Sequence, residues 1–256
     1  MEHLVLATVP IINSCNLACP WCAAHLSSQP IFNTRHILSA LSKIGHPIHG
    51  VALTGGEPFT SLRILDVKRD LERAGHRVFA ITNGTLHDQI WEFVSGDTLD
   101  IAMSVHNPAL FPQWVVDKKY ELLSECRKRG LKIMAGLFSV DSTEDIQLAC
   151  EYILNNRDVF QTSTISTVYR SDQPGMKMED LLELVSLSLG VDAEIVFQSP
   201  GKTVLMVDGY AIVLRRAPTI DEYTPEYDIP GCLFMSWDGN FYPVAYAQYY
   251  NEEVLA

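Results

Sequence analysis

Basic residues are scarce in this chain: 19 Lys and Arg stand against 31 Asp and Glu, a formal net charge of −12 at pH 7. Nucleic acid is held by Lys and Arg neutralising phosphates, so this balance argues against a nucleic-acid partner. A membrane-length apolar run is also lacking. The apolar run from Leu4 to Ile12 is well short of the roughly 20 residues a spanning helix needs, and it has neither a basic leader nor a small-residue cleavage site. Neither a signal peptide nor a membrane partner is expected. Cysteine is the third scarcity, with six in 256 residues, unevenly placed and none beyond Cys232. That distribution argues against a disulfide framework and for metal ligation in a reducing, cytoplasmic setting. What the chain does have is 47% hydrophobic residues, enough for a substantial core in one domain or one domain with an appendage.

Three of the six thiols, Cys15, Cys19 and Cys22, fall within eight residues directly behind the first apolar run. They can converge on one metal centre without help from distant sequence. Two chemistries fit them. Closely spaced thiolates hold iron-sulfur clusters, whereas zinc takes four protein ligands, and His25 would complete a Cys₃His set. A three-Cys loop on an iron-sulfur cluster leaves one iron without a protein ligand, open to a substrate or cofactor.

A second motif, Val51-Ala52-Leu53-Thr54-Gly55-Gly56-Glu57-Pro58, reads as a buried strand ending in two glycines and a carboxylate. Backbone can approach a ligand closely at Gly55 and Gly56, and Glu57 can accept from an ammonium group. Together, Cys-x₃-Cys-x₂-Cys after a first strand and Gly-Gly-Glu-Pro after a second resemble the radical S-adenosylmethionine superfamily. The resemblance implies that Cys15, Cys19 and Cys22 ligate three irons of one four-iron four-sulfur (4Fe-4S) cluster, with S-adenosylmethionine chelating the fourth. It further implies reductive cleavage to a 5′-deoxyadenosyl radical that abstracts hydrogen from a carbon. The competing reading is a non-catalytic zinc-binding or interaction protein on a degenerate barrel; the intact glycine motif speaks against it.

Along the chain, short apolar runs alternate with amphipathic ones. Strands are expected at 4–12, 51–54, 76–81, 99–105, 131–140 and 160–169, and helices at 33–44, 62–74, 86–94, 114–129 and 143–155. Asn33 or Thr34 and Ser142 would cap the first and last of these helices, and Gly45, Gly75 and Gly130 would stop three of them. Consecutive strand-helix units imply parallel strands joined by right-handed crossovers. The expected class is therefore α/β, a partial (β/α)₆ TIM-like barrel over 1–199 with a small appendage over 200–256 that contains β-hairpins and helps complete the substrate pocket. Asp208-Gly209 marks one hairpin turn and the stretch from Cys232 to Val244 a second.

Barrel ligands gather at the carboxyl ends of the strands, and the remaining candidates sit there. The resemblance places Trp21 near the adenine, Ser104 at the ribose and Arg170 at the methionine carboxylate, where a guanidinium pairs well with a carboxylate; the alternatives are a hydrophobic plug at the barrel mouth, a solvated serine and a surface arginine. Asn83, in Thr82-Asn83-Gly84, is either a polar ligand contact or a plain turn residue. His106 is either a proton-transfer residue or a hydrogen-bonded structural one.

The appendage is similar to the SPASM and twitch extensions, which carry an auxiliary cluster. Cys232 matches the opening ligand, but Val244 follows Pro243 where the next would stand, and Cys126 and Cys150 fall inside helices as core residues. One cluster per chain is expected. Cys232 is then either a buried apolar residue or, as in some radical epimerases, a hydrogen donor. The basic run from Lys118 to Lys132 reads as a helix's solvated face and basic end, or as a docking patch for an acidic flavodoxin- or ferredoxin-type electron donor. The resemblance suggests a small polar metabolite or a peptide as substrate, modified by epimerisation, dehydrogenation or cross-linking.

Overall fold

The structure is a computed structural model that describes residues 5–19, 22, 32–45, 47–167, 176–190, 193–199, 201–216, 232–235 and 239–243. Internal contacts divide the chain into two units, one made of residues 1–82, 88–93 and 228–256, the other of 83–87 and 94–227.

In the first unit, strands β1 (Val5–Ile12), β2 (Ile48–Gly55) and β3 (Arg77–Thr82) pair in parallel in that order. The connections are helices α1 (Thr34–Leu41) and α2 (Ile64–Arg73). Alternation along β1 buries Ala7, Val9 and Ile11. Helix α1 starts where expected, because the Asn33 side chain accepts from the His36 amide at 2.9 Å and satisfies one of the otherwise unpaired first-turn donors. Helix α2 turns Ile64, Val67 and Leu71 inward at helical spacing. Burying each such side chain contributes about 1.5–3 kcal/mol.

The second unit has strands β5 (Thr98–Ser104), β6 (Lys132–Val140) and β7 (Thr162–Thr167) in parallel, with the two-residue β4 (Val94–Ser95) antiparallel to β5. Helices α3 (Gln113–Arg129), α4 (Thr143–Asn156) and α5 (Met178–Leu189) connect and follow them. The expected cap of α4 is present, with Ser142 Oγ accepting from the Asp145 amide at 3.1 Å. Strands β8 (Glu194–Ser199), β9 (Lys202–Val207) and β10 (Tyr210–Arg215) form an antiparallel meander. Its β9–β10 turn is Asp208-Gly209, with φ of 49° and 77°, the left-handed pair that a two-residue hairpin needs.

The structure departs from the expectations in two ways. Residues 86–94 form a single 3₁₀ turn, Ile90–Phe93, rather than a helix. Ile90 and Phe93 are buried, Phe93 edge-on to Phe59 with centroids 5.3 Å apart, and the next residues leave to pair with β5. Tertiary packing outweighs local helical preference there. The second departure concerns the C-terminal strands. β10 pairs in parallel with β7, and β11 (Cys232–Met235), carrying the antiparallel β12 (Phe241–Pro243), pairs in parallel with β1.

Candidate functional site

The ends of β1 and β2 are stitched together beyond the regular ladder. The Gly56 amide donates to the Ile12 carbonyl at 2.6 Å and the Glu57 amide to the Ser14 carbonyl at 2.9 Å. This approach requires glycine. A Cβ on Gly55 would lie 2.0 Å from the Ile12 oxygen and one on Gly56 2.0 Å from the Ser14 oxygen, and Gly55 has φ 122° besides. The cysteine loop thus departs, at Cys15, from a point fixed against the glycine motif.

Within the loop, Cys15, Cys19 and Cys22 are half-buried and not disulfide-bonded. The Leu17 amide donates to Cys15 Sγ at 3.4 Å, and the Cys22 amide to the Cys19 carbonyl at 3.1 Å. Hydrogen bonds to the sulfurs are among the contacts that tune an iron-sulfur cluster. By donor type, hydrogen bonding and the glycine cradle, these residues fit a cluster. Among the described residues no three His, Cys, Asp or Glu side chains form a ready metal-holding group. The thiols are therefore gathered on one loop but not locked into a ligand set.

Glu57 has a role that the sequence reading did not give it. Its carboxylate is buried, and Oε1 accepts from the Phe59 amide at 3.1 Å, capping the 3₁₀ turn Pro58–Thr60, and from Thr82 Oγ1 at 2.8 Å at the end of β3. The acceptor that was expected to meet an ammonium group thus also ties two strand ends together. Asn83 makes the plain turn: its Oδ1 accepts from the Thr85 amide at 3.0 Å and the Thr85 hydroxyl at 2.7 Å. Trp21, His25 and Arg170 lie outside the described residues.

In the second unit Ser104 is half-buried at the end of β5, in register with Leu137. Its neighbour Met103 faces α3, since a Cβ on Gly84 would touch Met103 Sδ and Leu122 on one side, so alternation turns Ser104 to the opposite face. His106 sits differently. It adopts φ 55°, its Nδ1 accepts from the Ser139 amide at 3.4 Å, and its ring stacks on Phe111 at 6.2 Å. It lines a cavity of about 430 Å³ with Tyr120, Phe138, Asp145 and Tyr152, between α3 and α4. Burial first, then the adjacent Lys119 charge, lowers its pKa to about 3, so it is neutral in the physiological range.

Sequence reading missed Lys119, which is buried and donates to the Val105 carbonyl at 2.8 Å while lying 4.7 Å over the Phe111 ring. A lysine in a helix with basic neighbours carries no signal of burial. Four others of the run are paired: Arg127 with Asp158, Arg129 and Lys128 with Glu125, and Lys118 with Glu121. The pairing lowers the pKa values of Asp158 and Glu125 and matches the helix-end reading of this run.

The structure does not bring Cys232 to the cysteine loop. Its strand is parallel to β1 and in register at Leu6, six residues before Ile12, or about 20 Å along a strand from the end that leads into Cys15.

Comparison with known proteins adds to this geometry. A family profile described as "Radical SAM superfamily" matches residues 9–153. The protein named "Probable GTP 3′,8-cyclase" from Sulfurisphaera tokodaii is 26% identical over 196 residues, which are 71% of this chain and 56% of that protein. The "AdoMet-dependent heme synthase" of Methanosarcina barkeri is 38% identical over 78 residues, 28% of this chain and 22% of that one. The chain thus matches about half of one curated relative and less of the other. Among solved structures, Streptococcus suis SuiB bound to S-adenosylmethionine superposes with a TM-score of 0.53 at 16% identity, covering 72% of this chain and 43% of SuiB. SuiB bound to its precursor peptide SuiA gives 0.54 at 15% identity, over 73% of this chain and 46% of SuiB. That likeness shows the fold, an α/β partial TIM-like barrel whose sheet does not close.

Proposed function

The chain belongs to the radical S-adenosylmethionine superfamily, whose cofactors are a 4Fe-4S cluster and S-adenosylmethionine, and we propose that it cleaves that cofactor reductively to take hydrogen from a carbon of a small polar metabolite or a peptide. The observation that carries this reading is the stitch of Gly56 and Glu57 onto Ile12 and Ser14, which roots the three-cysteine loop on the glycine motif. When bound, the cluster and its cofactor supply one electron and a carbon-centred radical; the protein supplies binding, orientation and exclusion of side reactions.

In this proposal Cys15, Cys19 and Cys22 each hold one iron, and the Leu17 amide steadies the Cys15 sulfur. Gly55 and Gly56 let backbone lie against the cofactor, while Glu57, braced by Thr82, fixes that backbone. Ser104 meets the ribose, Trp21 the adenine and Arg170 the carboxylate. Asn83 contributes through its amide nitrogen, because its oxygen already accepts within the turn. The electron comes from a flavodoxin- or ferredoxin-type donor in the cytoplasm. Residues 200–256 help complete the substrate pocket, and the reaction is an epimerisation, dehydrogenation or cross-linking.

The test is anaerobic reconstitution, then incubation with cofactor and reductant in deuterated water, with mass analysis of nucleoside products and candidate substrates. Formation of 5′-deoxyadenosine is expected. Protein that carries a full, reducible cluster and releases none would overturn the reading.

A further inference from the structure

We propose that the cavity between α3 and α4 binds a small, neutral, fused heteroaromatic molecule with a lactam edge, a carbonyl beside an N–H. The cavity has a volume of about 430 Å³, and every residue lining it belongs to the second unit. It lies on the helix side of the sheet. Phe138 turns its ring to Tyr152 of α4 at 5.7 Å, whereas Ser104 faces the other way, so this site is separate from the one given to the cofactor. The proposal therefore does not rest on the radical reading.

Protein interiors are close-packed, with few voids larger than a water, whereas ligand sites run from about 300 to 1,000 Å³. Here the two helices are tied at both ends and held apart between. Ahead of α3, Asn107 Nδ2 donates at 2.8 Å to Asp145 Oδ1 in the first turn of α4. In the last turn of α3, Arg127 Nε and Nη2 donate to Asp158 at 2.8 and 2.9 Å, and Nη2 also reaches the Asn155 carbonyl and Asn156 Oδ1 at 3.3 and 3.0 Å. Aromatic side chains face the gap. Tyr120 of α3 and Tyr152 of α4 have ring centroids 6.1 Å apart, Tyr120 is exposed at the mouth, and Phe138 of the sheet is a buried floor. Such walls suit a flat ring.

The polar groups set the edge chemistry. Tyr152 lines the cavity, and its hydroxyl is shut off from solvent without a hydrogen-bond partner, a costly state that an acceptor on the ligand relieves. Burial raises its pKa, so it stays protonated and able to donate. At the rim, the four hydrogen bonds of Arg127 use only Nε and Nη2, which leaves the two Nη1 hydrogens for a ligand. Glu151, exposed on the same rim, supplies an acceptor. A donor with an acceptor nearby matches a lactam edge.

The charges favour a neutral molecule. Arg127 is balanced by Asp158, and Asp145 accepts through both oxygens, from Asn107 and from the Asp141 amide at 3.1 Å. His106, which also lines the cavity, is neutral. Glu151 repels an acid.

The experiment is equilibrium dialysis of the anaerobically reconstituted full chain against lumazine, a two-ring dione with such edges, with and without saturating S-adenosylmethionine. Saturable binding is expected, equally tight in both conditions. Tyr152→Phe, which removes the hydroxyl and keeps the ring, should weaken it about fivefold, and Tyr120→Ala, which removes one wall, about tenfold. Tyr210→Phe should bind as the wild type does, because that hydroxyl pairs with Ser163 Oγ at 2.7 Å outside the cavity. Without lumazine, Tyr152→Phe should match or exceed the wild-type urea midpoint, since the lost hydroxyl has no partner. A lower midpoint would show that hydroxyl already satisfied and count against the site. Absence of saturable binding, unchanged binding in Tyr152→Phe, or displacement of lumazine by S-adenosylmethionine would overturn it.

Discussion

Glu57 accepts a 2.8 Å hydrogen bond from the Thr82 hydroxyl, so the carboxylate that closes the glycine motif is braced by the end of the next strand. Removing that donor leaves a buried acceptor short of a partner, a loss of about 1–3 kcal/mol. Thr82→Val should lower the urea midpoint accordingly, and Thr82→Ser should restore most of it. A Thr82→Val protein as stable as wild type would show that the bond is idle.

Gly56→Ala should injure the cluster site before the fold. The added Cβ would meet the Ser14 carbonyl at 2.0 Å, and Ser14 leads directly into Cys15. The variant should keep its far-ultraviolet circular dichroism but take up well under half the wild-type iron and sulfide on reconstitution. Gly45→Ala, where nothing lies within 4 Å, serves as control and should take up the wild-type amount. Equal uptake in both would remove the role given to the cradle.

His106 makes stability depend on pH in a stated direction. Unfolded, its imidazole takes a proton near 6.5; folded, only near 3, because burial and the Lys119 charge oppose it. Between those values the unfolded chain binds more protons, so the stabilising contribution is intact above 6.5 and drains away as pH falls. Urea denaturation at pH 7 and pH 5 should show a smaller loss for His106→Asn, which tolerates the left-handed backbone, than for wild type. Identical losses would contradict the assignment.

Cys232→Ala should cleave the cofactor and complete turnover at wild-type rates, since the register sets this residue beside Leu6. A variant that forms 5′-deoxyadenosine but stalls before product, with solvent deuterium no longer incorporated, would support the hydrogen-donor alternative.

Much of the fold was legible because local signals and tertiary demands agree. Asn33 and Ser142 cap the helices that they announce, Gly130 closes α3 in the left-handed conformation, and Asp208-Gly209 turns its hairpin. Where the two conflict, the sequence misleads. Phe93 looks helical but is recruited to pack on Phe59, and β10 looks like half of an isolated hairpin because its parallel pairing with β7 joins residues about fifty positions apart. The cysteine loop and glycine motif were legible as spacing. The stitch between them and the Glu57–Thr82 brace are products of register, which only the folded chain displays.

The most direct test replaces Cys15, Cys19 and Cys22 singly by Ala in anaerobically reconstituted protein and measures 5′-deoxyadenosine after reduction in the presence of S-adenosylmethionine. The account predicts that wild type forms it and that each variant loses both the cluster absorbance and the product. Wild-type product formation by any one of the three would contradict it.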